Sequence, residues 1–136
     1  MQGEGRIRIA ADEDVVLARQ RGRELAAAAG FSQTDATLIA TAISELVRNI
    51  LAYAGNGEIE LARVRQNGRE GVVVVAADSG PGIGDLDAAM QEGFSTAGGL
   101  GMGLPGARRL VDEFDIVSEV GRGTTVTLKK WRGIAA

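Results

Sequence analysis

Cysteine and histidine are both absent from this chain of 136 residues, lysine occurs only at Lys129 and Lys130, and there are just two prolines. Without Cys there is no thiol nucleophile, no disulfide framework and no thiolate metal site. Without His, Ser-His-Asp triads, imidazole metal ligands and phosphohistidine intermediates on this chain are excluded. The scarcity of Lys removes a GxxxxGK[ST] phosphate loop, and the H-R-D loop of typical protein kinases is missing as well. The longest apolar run, residues 72–77, is far short of the ~20 residues a membrane helix needs. Residues 1–8 are polar and charged, unlike a signal peptide. A net charge of -3 argues against nonspecific binding to nucleic acid or to a membrane surface. The expectation is a cytoplasmic protein whose chemistry rests on carboxylates, hydroxyls, amides, Arg, backbone N–H groups and a hard cation.

Glycine is what the chain has in excess: 20 of 136 residues, about twice the usual ~7%. Most lie in the second half, where the backbone is being asked for unusual geometry. Length and an ordinary apolar content predict one domain over residues 1–136. Residues 6–9 alternate like a short edge strand. Asp12 or Asp14 can cap a helix with Val15, Ala18, Leu25, Ala26 and Ala29 on one stripe, ended by Gly30. Ser32 and Asp35 have capping-box spacing and open a second helix with a broad apolar stripe, from Leu38 to Leu51. Two strands, over 58–65 and 72–77, flank the turn at Gln66-Asn67-Gly68. A third helix is expected over 104–113, then strands over 115–119 and 124–130 around Gly121-Arg122-Gly123. The sum is an α/β (α+β) two-layer sandwich: a mixed, mostly antiparallel sheet with helices on one face.

Three patches do not read as core. Glu45 and Asn49 lie four apart on the second helix, in one row with Thr41 and Tyr53. Two readings stand open: a solvated i,i+4 pair, or a carboxylate and an amide on a covered stripe that need partners. Asp78-Ser79-Gly80-Pro81-Gly82-Ile83-Gly84 follows the most apolar strand. It is either a tight turn or a strand end that holds one carboxylate at the floor of a pocket, with glycines leaving bare backbone for a flat ligand. Gly98-Gly99-Leu100-Gly101-Met102-Gly103-Leu104 runs into the third helix, where exposed N–H groups suit phosphate without any Lys. Arg48, Arg108 and Arg109 are the cations near these patches in sequence. Together the patches make the parts of a nucleotide site, with an amide ligand for Mg²⁺ and Glu45 placed to take a proton.

These residues match a family. Glu45-x-x-x-Asn49, Asp78-x-Gly80-x-Gly82 and Gly99-x-Gly101-x-Gly103 resemble the N, G1 and G2 boxes of the GHKL (Bergerat-fold) ATPases, and Gly123-Thr124 resembles their late Gly-Thr. Ala42 to Ile50, Tyr53-Ala54-Gly55, Glu92 to Gly106, Arg108-Arg109-Leu110 and Asp112-Glu113-Phe114 are similar to the RsbT-type serine/threonine kinases of the stressosome. The resemblance implies transfer of the ATP γ-phosphoryl to Ser or Thr of STAS-domain scaffold proteins (RsbS- and RsbR-like). Release of the kinase would then let it activate a downstream partner such as a PP2C-type phosphatase. It further implies Glu45 as general base, Asn49 as ligand to Mg²⁺, and Asp78 as acceptor for the adenine amino group. Gly80, Gly82, Ile83 and Thr124 would complete the adenine pocket. Gly99, Gly101, Met102, Gly103 and Leu104 would lie along the phosphates within a lid over 93–103, where Ser95 and Thr96 are further candidates.

A non-catalytic, ATP-dependent anti-sigma or adaptor protein acting by sequestration is the alternative. Pure binding needs Asp78 and the glycines but no base, so an intact Glu45 favours catalysis. A detached sensor-kinase ATPase domain is disfavoured, because no phosphoacceptor His precedes the fold.

Overall fold

The computed structural model describes residues 5–83 and 103–133 of the chain. Strand β1 (Gly5–Ile9) is followed by helices α1 (Glu13–Ala28) and α2 (Gln33–Tyr53). Then come the hairpin of β2 (Gly57–Gln66) and β3 (Arg69–Asp78), helix α3 (Gly103–Arg109), and the hairpin of β4 (Glu113–Glu119) and β5 (Gly123–Trp131).

The strands form one sheet in the order β1-β2-β3-β5-β4, with β1 at an edge as expected. Every described pairing is antiparallel, more uniformly so than the mixed, mostly antiparallel sheet expected. The reason lies in the placement of β5. Strands β3 and β4 do run in the same direction, as a helical crossover between them requires, but β5 lies between them and is antiparallel to both.

Side chains of period 2 bury one face of this sheet against the helices. Ile7, Ile9, Ile59, Leu61, Val72, Val74, Ala76, Val126 and Leu128 meet Leu25, Ile39, Ile43, Leu46, Val47 and Ile50 of α1 and α2 in one core. Each fully buried Leu or Ile contributes about 1.5–3 kcal/mol. Helices α1 and α2 cross closely because Gly22 leaves room for the Ile43 side chain.

Local signals explain most boundaries. Ser32 Oγ accepts the Asp35 N–H at 3.0 Å, as the capping spacing predicts. Asp12 makes no side-chain cap bond. Asp14 instead reaches back to the N–H groups of Ala10 (2.8 Å) and Ala11 (2.9 Å), and these two bonds hold its carboxyl below the usual carboxylate range. The β2–β3 turn has Asn67 at φ 54° and Gly68 at φ 79°, the left-handed pair that a two-residue hairpin favours.

Helix α3 is shorter than the periodicity over 104–113 suggested, and β4 begins earlier. The sheet recruits the end of that segment. Asp112 donates its N–H to the Lys129 carbonyl and accepts the Trp131 N–H on its carboxylate, so pairing with β5 outweighs another helical turn. Among the described residues no helix is long and apolar enough to cross a membrane.

Candidate functional site

The broad stripe of α2 carries two polar side chains into covered positions. Glu45 is 9% exposed and Asn49 6%, which excludes the reading of a solvated pair. A buried carboxylate must be hydrogen-bonded to be tolerated, and Glu45 is held from two sides. Its Oε1 accepts the backbone N–H of Gly103 at 3.1 Å, and its Oε2 faces Arg48 Nη1 at 3.2 Å. The Arg48 side chain is 47% exposed, so the ion pair is worth at most about 1 kcal/mol. Its effect is to fix the carboxylate's orientation.

The second cluster grows out of the sheet. The rows Ile59–Ala76–Val126–Ile116 and Leu61–Val74–Leu128–Phe114 are apolar across four strands. Past them, at the end of β3, the row turns polar: Asp78 lies opposite Thr124, and Thr124 lies opposite Ser118. Opposed residues share a face in an antiparallel pair, so these three extend the helix-covered face beyond its apolar part. Asp78 Oδ1 accepts the Gly80 N–H at 2.9 Å, a side-chain-to-backbone turn of the Asx kind. Ser118 Oγ accepts the Ile83 N–H at 2.7 Å and lies 2.7 Å from the Thr124 hydroxyl.

The glycines of this corner serve close approach of one chain segment to another. A Cβ on Gly80 would lie 2.5 Å from Ala54 Cβ, at the end of α2. On Gly82, with φ +79°, it would strike the Glu119 carbonyl. On Gly123, with φ +119°, it would strike the carbonyl of Asp78. At Gly80 and Gly82 the positions a Cβ would take are filled by neighbouring chain segments rather than left open for a ligand.

The two clusters adjoin through the C-terminal half of α2. Gly57 sits against both Ile50 and Asp78, and Gly80 against Ala54. The fold therefore brings Glu45, Asn49, Gly103, Asp78, Gly80, Gly82, Ile83 and Thr124 to one end of the molecule. Leu104 is buried in the core, beneath the start of α3. Gly99, Gly101 and Met102, with most of the lid over 93–103 and its Ser95 and Thr96, lie outside the described residues. Arg108 and Arg109 are exposed at the end of α3. Among the described residues no group of three or more acidic side chains gathers as a metal cage. Asn49 brings an amide oxygen, and Glu45 a carboxylate, to this end of the molecule as donors of the hard oxygen kind.

Ser118 is the residue that sequence reasoning missed. Its signal was present: it faces Thr124 once the hairpin around 121–123 is put in register.

Residues 9–130 match the family described as histidine kinase-like ATPase domain. The chain is 48% identical, over 96% of its length and 98% of the relative's, to the serine/threonine-protein kinase RsbT of Bacillus subtilis. It is 32% identical to an anti-sigma F factor of Caldanaerobacter subterraneus, covering 78% of this chain and 80% of that one. It is 35% identical to the anti-sigma F factor of Geobacillus kaustophilus, covering 76% and 77%. Among solved structures, the RsbU and RsbW domains of a Mycobacterium tuberculosis protein superpose with a TM-score of 0.62 at 24% identity. That likeness covers 95% of this chain and 33% of the other, and it shows the fold alone.

Proposed function

Because the chain belongs to the histidine kinase-like ATPase domain family and is an ATP-using serine/threonine protein kinase of the RsbT type, we propose that it phosphorylates a Ser or Thr of a STAS-domain scaffold protein as the switch of a partner-exchange cycle. The observation that carries this reading is the buried Glu45, clamped between Arg48 and the Gly103 N–H, one helical turn from Asn49. A module that only sequesters a partner has no use for such a carboxylate.

Glu45 takes the proton of the acceptor hydroxyl as its oxygen bonds to the γ-phosphorus, and the bond to ADP breaks. Held on both oxygens, the carboxylate needs little reorganisation at that moment. Asn49 would hold Mg²⁺, which when bound with the nucleotide would supply neutralisation of the charge on the phosphates. Asp78 Oδ1 is already engaged by Gly80, and its other oxygen accepts the adenine amino group beside Thr124. The main chain of Gly80, Gly82 and Ile83 is assigned to the base, and Gly99, Gly101, Met102, Gly103 and Leu104 are assigned to the phosphates. Residues 1–136 act as one domain, in the cytoplasm. Phosphorylation of the RsbS- or RsbR-like scaffold releases the kinase, which then engages a downstream effector such as a PP2C-type phosphatase.

The resemblance to anti-sigma F factors at 32–35% identity supports partner switching as the wider behaviour. Sequestration without transfer is the second reading. Incubating the chain with Mg-ATP and STAS-domain proteins, then mapping phosphosites by mass spectrometry, separates the two. Phosphate on a scaffold Ser or Thr supports the kinase reading; stable binding with no transfer replaces it with sequestration.

A further inference from the structure

Alternation along the strands gives the sheet two faces, and the described helices share a core with only one of them. An antiparallel sheet that turns its other face to water normally carries polar residues there. Here the central strand does not: the outward residues of β3 are Val73, Val75 and Ala77. At the edge strand β4, Val117 on the same face is 62% exposed. A contiguous apolar surface with a polar rim marks an interaction site.

The rim is sorted by sign. Arg6 and Arg8 point outward from β1 at one edge, and Glu113 and Asp115 from β4 at the other. One register row, Arg6–Glu60–Val75–Thr127–Asp115, crosses all five strands, with a cation at one end, Val75 in the middle and an anion at the other end. Arg6 already lies 3.2 Å from Glu60, but its side chain is 63% exposed, so its charge remains open to a further partner.

We propose that this face binds the same face of a second copy of the chain, as a two-fold sandwich of sheets. A two-fold axis between stacked sheets runs either across the strands or along them. Across them, it sets β1 over β1 and β4 over β4, like charge on like charge, which is disfavoured. Along them, it reverses each row. Val75 then meets its own counterpart at the axis, Arg6 of each copy meets Asp115 of the other, and the apolar stem of Arg8 lies over Val117. The charge pattern therefore selects the second arrangement, in which the sheets pack in the aligned manner. Five strands at about 4.8 Å spacing, with the length of β4 at about 3.3 Å per residue, make a face of about 550 Å². Two such faces bury about 1,100 Å², the size of a weak, reversible interface. The Glu45–Asn49 stripe belongs to the helix layer on the far side, so pairing leaves it open and does not depend on what binds there.

Sedimentation velocity of the full chain, from micromolar to millimolar concentration, reads the equilibrium. The wild-type chain should pass from monomer to dimer as concentration rises. Val75→Lys puts two like charges on the axis and should weaken the dimer about tenfold or more. Asp115→Arg and Arg6→Glu, each alone, set like charges across both junctions and should weaken it about tenfold. An equimolar mixture of these two variants restores opposite charges at both junctions, and should associate about as strongly as wild type. Both charge variants alter exposed edge positions, so they carry the test if Val75→Lys does not fold; thermal melts by circular dichroism check folding. A wild-type chain that stays monomeric throughout overturns the proposal. So does a dimer that no folded variant weakens, or one that the mixture fails to restore.

Discussion

Glu45 and Gly103 are 58 positions apart in sequence, yet the Glu45 carboxylate accepts the Gly103 backbone N–H at 3.1 Å. This bond ties the middle of α2 to the first residue of α3, where the glycine-rich segment ends. The group proposed to move a proton is thus fixed to the chain proposed to line the phosphates. Replacing Glu45 by Gln or Ala should leave ATP affinity close to normal and lower phosphoryl transfer by about 10²–10⁴. Binding isotherms and single-turnover rates check this; parallel loss of affinity and rate would remove Glu45 from the base role.

Asn49 supplies an amide at a site where, among the described residues, no group of three or more acidic side chains gathers to hold a metal. Asn49→Ala should abolish the stimulation of transfer by Mg²⁺ and slow the reaction by about 10² or more, since a metal ion provides several kcal/mol of charge stabilisation. A magnesium titration of the rate is the measurement. A variant that keeps the wild-type metal response contradicts the ligand assignment.

Asp78→Asn puts an amide donor where the adenine amino group needs an acceptor. ATP affinity should fall about tenfold or more, the size of one lost hydrogen bond to a charged group, and the preference over GTP should narrow. Competition binding with the two nucleotides reads both effects. Unchanged selectivity would undo the assignment of Asp78 to the base.

Gly123→Ala places a Cβ against the Asp78 carbonyl at a backbone φ of +119°. The backbone strain alone costs about 1–3 kcal/mol, and the clash with Asp78 adds to it. Denaturant unfolding should show the lost stability, together with weaker ATP binding because the Asp78–Thr124 row is displaced. Gly121→Ala is the control: it has a positive φ of +84° but open space around it, so it should be destabilised while keeping its nucleotide affinity.

Asp14 holds the N-terminus of α1 through the Ala10 and Ala11 amides, and its carboxyl titrates below the usual range. A depressed folded-state pKa means the contribution is complete above the unfolded value and is lost as pH falls through the folded one. Asp14→Ala should therefore unfold at a lower temperature at neutral pH. The gap to wild type should close in acid, below the ordinary Asp range. A gap of constant size down to pH 2 would exclude the ionised carboxylate as the cause.

Much of this was legible in the residues because it depends on neighbours along the chain. The Ser32 cap, the hairpin at Asn67-Gly68 and the alternation of β1 are set by local geometry, so spacing alone located them. The pairing of Glu45 with Asn49 on one helix face follows from 3.6 residues per turn, and their placement beside Asp78 was implied by the family resemblance. Where local rules competed with the sheet, they lost. The third helix stops at Arg109 because Asp112 is drawn into pairing with β5.

The sequence by itself determined the chemical vocabulary: no thiol, no imidazole, almost no lysine, and therefore a site of carboxylates, amides, hydroxyls and main chain. Its periodicities also determined which side chains go inward. Only the tertiary structure decided that Glu45 is buried and held by Gly103, that the Cβ-free sides of Gly80 and Gly82 meet other chain segments, and that Ser118 joins Thr124 and Ile83. Those facts depend on strand register and on helix-to-sheet contact between residues far apart in the chain. A shift of one residue in the β4–β5 pairing would turn Ser118 to the opposite face.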